Sequence, residues 1–223
     1  MLDFLGTIAT LGLTVFVVAS LLVFLEVRGG TKLVLAGLLG LWIGLAAAAS
    51  AAGWLAISRP FPLIGPFVFA PLIAAVVLVI VSRGARRAML ALPLPLMVGL
   101  NIGRIFAVLF LLLAVDGRLS GPFPYFAGLG DIITGLLAIR VIALTREPER
   151  HLAAIHAWNA FGMADLVLAI ALGVTSAANS PLQIFSAPGS QAMQHLPWSF
   201  VPTVLVPLWM ILHAIVFARL RVR

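Results

Sequence analysis

Seven stretches of this chain are apolar for about 20 residues each, and a run of that length crosses the roughly 30 Å hydrocarbon core of a bilayer as a helix. They fall at residues 4–25, 33–57, 63–82, 94–115, 125–144, 151–173 and 200–219. The expectation is an all-α integral membrane protein, a seven-transmembrane helix bundle forming a single transmembrane domain over residues 1–223. Composition agrees, with 63% hydrophobic and 9% charged residues against about 25% charged in soluble domains. The first run reads as a retained span: Met1, Leu2 and Asp3 bring no positive charge, and no small-x-small cleavage site follows.

Orientation follows from charge, because Lys and Arg in short loops face the cytoplasm. One set of alternate loops holds Arg28, Lys32, Arg83, Arg86, Arg87, Arg140, Arg146, Arg150, Arg219, Arg221 and Arg223. The other set holds only Arg59 and Arg118. This predicts the N-terminus outside and the C-terminus cytoplasmic, in a bacterial-type inner membrane. Trp54, Tyr125 and Trp198 then fall at the outer interface, where an aromatic belt is expected. The net charge of +7 is dealt out between spans and not gathered on one face, so no nucleic-acid partner is expected. The bilayer is the expected partner, and the basic, partly apolar stub at 83–93 belongs at its inner interface near anionic lipid.

Small residues at spacing four let helix backbones approach closely. Gly40, Gly44, Ala48 and Ala52 in the second run and Gly99 and Gly103 in the fourth are expected to pack inside the bundle, with a homo-oligomer seam as the alternative. Pro71 and Pro207 remove the bonds to the carbonyls of Phe67 and Thr203 and predict kinks. The 174–199 loop, whose stretch Pro181 to Phe185 suits the membrane surface or a cavity mouth, reads as a plain connector, with a lid as the alternative.

An ionisable side chain at the bilayer centre costs roughly 2.5–3.5 kcal/mol on insertion scales, so it needs a partner or a function. The fourth run holds Asn101 and Arg104, the fifth Asp131 and Thr134, and the sixth Asp165. At 1.5 Å per residue, Asp131 lies about 9 Å and Asp165 about 12 Å below the outer face, with Arg104 near mid-membrane. Helical side chains lean toward the N-terminus, the cytoplasmic end of the fourth span, so ideal helix geometry disfavours direct contact between Arg104 and the acids. Were the three to meet, one cation would face two carboxylates, and the second acid would hold a proton or await a cation. These five residues form the candidate ligand-binding site, for binding or transport of a small polar or cationic ligand. A purely structural network is the alternative.

On the fifth run Gly128, Asp131, Thr134, Gly135 and Ala138 share one face. On the sixth, His156, Asn159 and Met163 lie on one side and Trp158, Gly162 and Asp165 on the other, which predicts a central helix. His156 and His213 fall at equal depth near the inner end, as haem b or metal ligation for electron transfer would need. Otherwise no cofactor is expected.

Other functions are excluded by what is missing. There is no cysteine, hence no disulfide and no thiolate chemistry. The single lysine, Lys32, lies in a loop, so a retinal Schiff base in the last span is ruled out. No metalloprotease, serine-hydrolase or phosphate-loop motif occurs, and an enzyme is not expected.

Overall fold

The computed structural model describes residues 1–221; Arg223, counted above in the basic tail, lies outside the described residues. All the regular structure among them is helical: α1 (Leu2–Phe24), α2 (Gly29–Ala51), α3 (Ile64–Val81), α4 (Arg83–Ala91), α5 (Leu94–Val115), α6 (Phe123–Leu144), α7 (Leu152–Ser176) and α8 (Val201–Arg221), with a short turn at Gln191–Gln194. All but α4 are long and apolar enough to span a membrane. They match the seven apolar runs, with one substantial difference: α2 ends at Ala51, well before residue 57. Its stop is chemical. Gly53 adopts a left-handed φ of +70°, the amide of Trp54 donates to the Ala49 carbonyl at 2.8 Å and that of Gly53 to Ser50 at 2.9 Å. This paired arrangement closes helices whose C′ residue is glycine. Arg59 then donates to the carbonyls of Gly53 and Ala52.

α4 is the basic stub, now a helix. Ser82 Oγ accepts from the Ala85 amide at its start, Ala88 turns inward, and Arg83, Arg86 and Arg87 are exposed.

The loops sort to two ends. At one, Asp3 pairs with Arg118 at 2.8 Å and accepts from Trp198 Nε1, while the Ile57 amide donates to Gln194 Oε1. At the other, Lys32 donates to the Val23 carbonyl and Arg219 to the Leu92 carbonyl. Trp198 is therefore not an interfacial belt residue; it is fully buried, whereas Trp54 and Tyr125 are about half exposed.

The centre of the bundle is α8, not α7. Over their most apolar stretches α8 is 61% buried and α7 28%, because α7 turns Ala153, Ala157, Ala160, Phe161, Ala164 and Leu168 outward. The sequence shows two polar sides on α7, but His156 sits only half-buried beside the Phe217 ring, and the true buried side carries Trp158, Asn159, Gly162 and Asp165.

The small-residue stripes divide. Gly103 lies against Leu13 of α1, whereas a methyl group added at Gly40 or Gly44 would meet nothing within 4 Å. The α2 stripe faces outward, contrary to its expected packing inside the bundle. Pro207 behaves as expected: α8 opens with a wide π turn at Val201–Leu205, and the Thr203 carbonyl left without its helical donor accepts from Trp42 Nε1 of α2 at 3.2 Å. A satisfied carbonyl makes such a break tolerable in lipid.

Candidate functional site

The middle of α5 is not α-helical. Leu100–Ala107 is wound as a 3₁₀ helix. Asn101 Nδ2 donates to the Met97 carbonyl at 2.9 Å, competing with the backbone for that acceptor, and Gly103 weakens the local helical preference. In a 3₁₀ helix side chains three apart eclipse one another. Asn101, Arg104 and Ala107 consequently stack on one face, and all three are buried; in an α-helix the first and last would diverge by about 120°. The 3₁₀ rise of about 2.0 Å in place of 1.5 Å carries Arg104 about 2 Å further along α5 from Leu100.

That displacement explains a correction, because Arg104 contacts both acids directly. Its Nε donates to Asp131 Oδ1 at 2.5 Å and its Nη2 to Asp165 Oδ2 at 2.6 Å, with the guanidinium fully buried. Nη1 is directed at the Gly162 carbonyl (3.2 Å), His213 Nε2 (3.0 Å) and, more distantly, Asn101 Oδ1 (3.5 Å). The cation also lies 5.8 Å from the centre of the Trp209 ring. One side chain thus ties together α5, α6, α7 and α8.

The tautomer of His213 follows from its partners. A guanidinium only donates, so Nε2 must accept from Arg104, and Nδ1 carries the hydrogen, which it gives to Asn159 Oδ1 at 2.7 Å. Asn159 Nδ2 returns a bond to the His213 backbone carbonyl at 3.0 Å. The imidazole is neutral. The cluster then holds one cation against two carboxylates.

Two glycines make this proximity possible. A Cβ on Gly130 would collide with the Asp165 carboxylate, and one on Gly162 would lie 2.7 Å from His213 Nε2 and 2.9 Å from Thr134 Cγ2. Trp158 Nε1 donates to the Thr134 carbonyl and Trp209 Nε1 to that of Leu100, which fixes the surrounding walls.

Of the five candidate residues, Asn101, Arg104, Asp131 and Asp165 meet. Thr134 is buried beside them, but its hydroxyl donates to the Gly130 carbonyl at 2.8 Å. His213 joins this cluster, and His156 lies instead against Phe217. For His213 to ligate haem or a metal, it would have to release Arg104 or Asn159. Among the described residues no group of three or more His, Cys, Asp or Glu is placed to hold a metal ion. Sequence reasoning missed the roles of Gly130, Asn159, Gly162 and Trp209. The visible signal was that both glycines lie within three residues of a buried aspartate on its own helix.

Asp131 has a second neighbourhood. It lines a cavity of about 100 Å³ at the end of the bundle that carries the N-terminus, with walls that include Val68, Phe110, Phe123, Met193 and Gln194. Phe110 and Phe123 are stacked, their centroids 6.4 Å apart. Gln194 is fixed by the Ile57 amide, yet its Nε2 is buried without a partner. The 174–199 segment is therefore more than a connector: Ser190, Met193 and Gln194 wall this cavity, while Leu182 and Ile184 stand exposed.

A family model described as "Domain of unknown function (DUF8737)" matches residues 60–221. The matched stretch contains Arg104, Asp131, Asp165, His213 and both glycines. No curated protein and no solved structure matches the chain.

Proposed function

This chain belongs to the DUF8737 family, and we propose that it binds a small organic cation, an alkylammonium with a compact apolar body, in the cavity above Asp131. The observation that carries this reading is the double placement of Asp131, which is bonded to Arg104 on one side and lines an apolar cavity on the other. Arg104 balances only one of the two carboxylates, and an uncompensated charge buried in low dielectric is expensive. A cation entering the cavity neutralises it. The aliphatic wall accommodates an alkyl group, and the aromatic rings of Phe110 and Phe123, which also line the cavity, favour a cation over a neutral guest. Arg104, fully buried behind Asp131, closes the route inward, which favours binding over passage. The loop charges orient the cavity to the outside of a bacterial-type inner membrane.

A charge-matched pair of probes tests the reading on purified protein in nanodiscs: isopentylammonium and isopentanol. The ammonium should raise the unfolding temperature saturably, as a ligand of the folded state must, and the alcohol should not. Asp131→Asn should remove the response, and Ala127→Leu, which fills the cavity without touching the ion pairs, should remove it too. Equal responses to both probes, or an unchanged response in both variants, would overturn the proposal.

A further inference from the structure

A second concavity lies at the opposite end of the bundle, and no part of the cation reading involves it. It is a groove of about 410 Å³ between α3 and α8, closed at one end by α4. Its α3 wall runs from Leu72 to Ile80 and its α8 wall from Met210 to Ala218. Each wall advances eight residues, about 12 Å at 1.5 Å per residue, which is close to one leaflet of a hydrocarbon core about 30 Å thick.

Where the groove meets the interface its chemistry changes. Arg86, Met89 and Leu90 of α4 all line it, and their spacing of three and four puts them on one helical face. The apolar pair continues the groove, and Arg86 brings an exposed cation to that same end. Arg83 and Arg87 flank that position, α4 contains no acidic residue, and none of the three arginines takes part in the ion pairs found among the described residues. An apolar channel one leaflet long, ending in an arginine at headgroup depth, is complementary to an acyl chain joined to a phosphate. Guanidinium is the side chain best matched to phosphate oxygens, which it can bind in bidentate fashion.

We infer that this groove holds one acyl chain of an anionic phospholipid, with the lipid phosphate on Arg86. The groove is a single channel about one leaflet long, which seats one chain side by side with its walls. The second chain remains in the bilayer, and the net negative headgroup faces the three arginines. The occupant is thus selected by charge as well as by shape.

Native mass spectrometry of the delipidated full chain tests this, using phosphatidylglycerol and phosphatidylcholine with identical palmitoyl and oleoyl chains. The wild type should retain one phosphatidylglycerol in preference to phosphatidylcholine. Arg86→Ala should weaken phosphatidylglycerol binding about fivefold, the scale set by one basic residue near an anionic lipid, and weaken phosphatidylcholine, whose choline offsets its phosphate, by less. Arg28→Ala removes an exposed cation from the same end, away from the groove, and should change neither. Ala214→Phe and Ala218→Phe project from exposed positions on α8 into the groove and should weaken both lipids together. Equal losses in the Arg28 and Arg86 variants would reduce the effect to nonspecific surface charge and overturn the proposal. Undiminished binding in both phenylalanine variants would overturn it equally.

Discussion

Replacing Arg104 tests the charge balance of the cluster, because the two kinds of deletion should differ greatly in cost. With Arg104 present, Asp131→Asn or Asp165→Asn removes one charge-assisted hydrogen bond, worth about 1.5–3 kcal/mol when its partner is charged. Either change also leaves one cation facing one carboxylate, a balanced pair, which offsets part of that loss. Each single acid variant should therefore lose only about 1–2 kcal/mol. Arg104→Ala does the reverse and leaves two carboxylates with no cation. It also strips the Gly162 carbonyl and His213 Nε2 of a donor. Breaking a buried pair by removing one partner costs about 3–5 kcal/mol, and here a single substitution breaks two. The loss should reach at least the upper end of that range. Adding Asp131→Asn or Asp165→Asn to Arg104→Ala should recover part of it, and the triple variant should recover the most. Reversible unfolding by sodium dodecyl sulfate in mixed micelles, followed by tryptophan fluorescence, gives the free energies for both double-mutant cycles. The 2.5 and 2.6 Å contacts predict couplings of similar size, within the range of about 0.5–3 kcal/mol seen for contacting residues. Additivity within about 0.5 kcal/mol in both cycles, or an Arg104→Ala variant as stable as the acid variants, would refute the argument.

Three further outcomes follow from separate parts of the structure. Gly162→Ala should destabilise by about 1–3 kcal/mol through overpacking against His213 and Thr134, while Gly40→Ala, whose methyl meets open space, should be neutral or slightly stabilising; thermal unfolding of the two variants side by side reads the contrast. Trp42→Phe keeps the ring but removes the donor to Thr203, and should cost about 1 kcal/mol by the same unfolding measurement. A reporter active only in the cytoplasm should work when fused after Arg223 and fail when inserted between Leu182 and Ile184; the opposite pattern would reverse the membrane orientation and place the Asp131 cavity on the cytoplasmic face.

The number of spans, and the limits of all but the second, were legible in the sequence, because a bilayer imposes a length and an apolar character on every crossing segment independently of its neighbours. The stop of α2 was missed: apolarity carries the run on to residue 57, whereas the left-handed turn at Gly53 closes the helix at Ala51, and hydropathy does not register a turn. That Asp131 and Asp165 would need compensation was also determined in advance, since a charge inside an apolar run must be balanced wherever the chain folds. Which groups would balance them was a tertiary matter. Ideal α-helical geometry turns Arg104 away from the acids, and only the 3₁₀ winding of Leu100–Ala107, held by the packing of α5 against α6, brings it to both. His213 could be placed by depth but not by rotation, so sequence reasoning grouped it with His156, whereas packing around Gly162 brings it to Arg104 and Asn159. The same limit explains the α2 stripe and the position of α7: periodicity names the residues sharing a face, and only the assembled bundle decides whether that face meets protein or lipid.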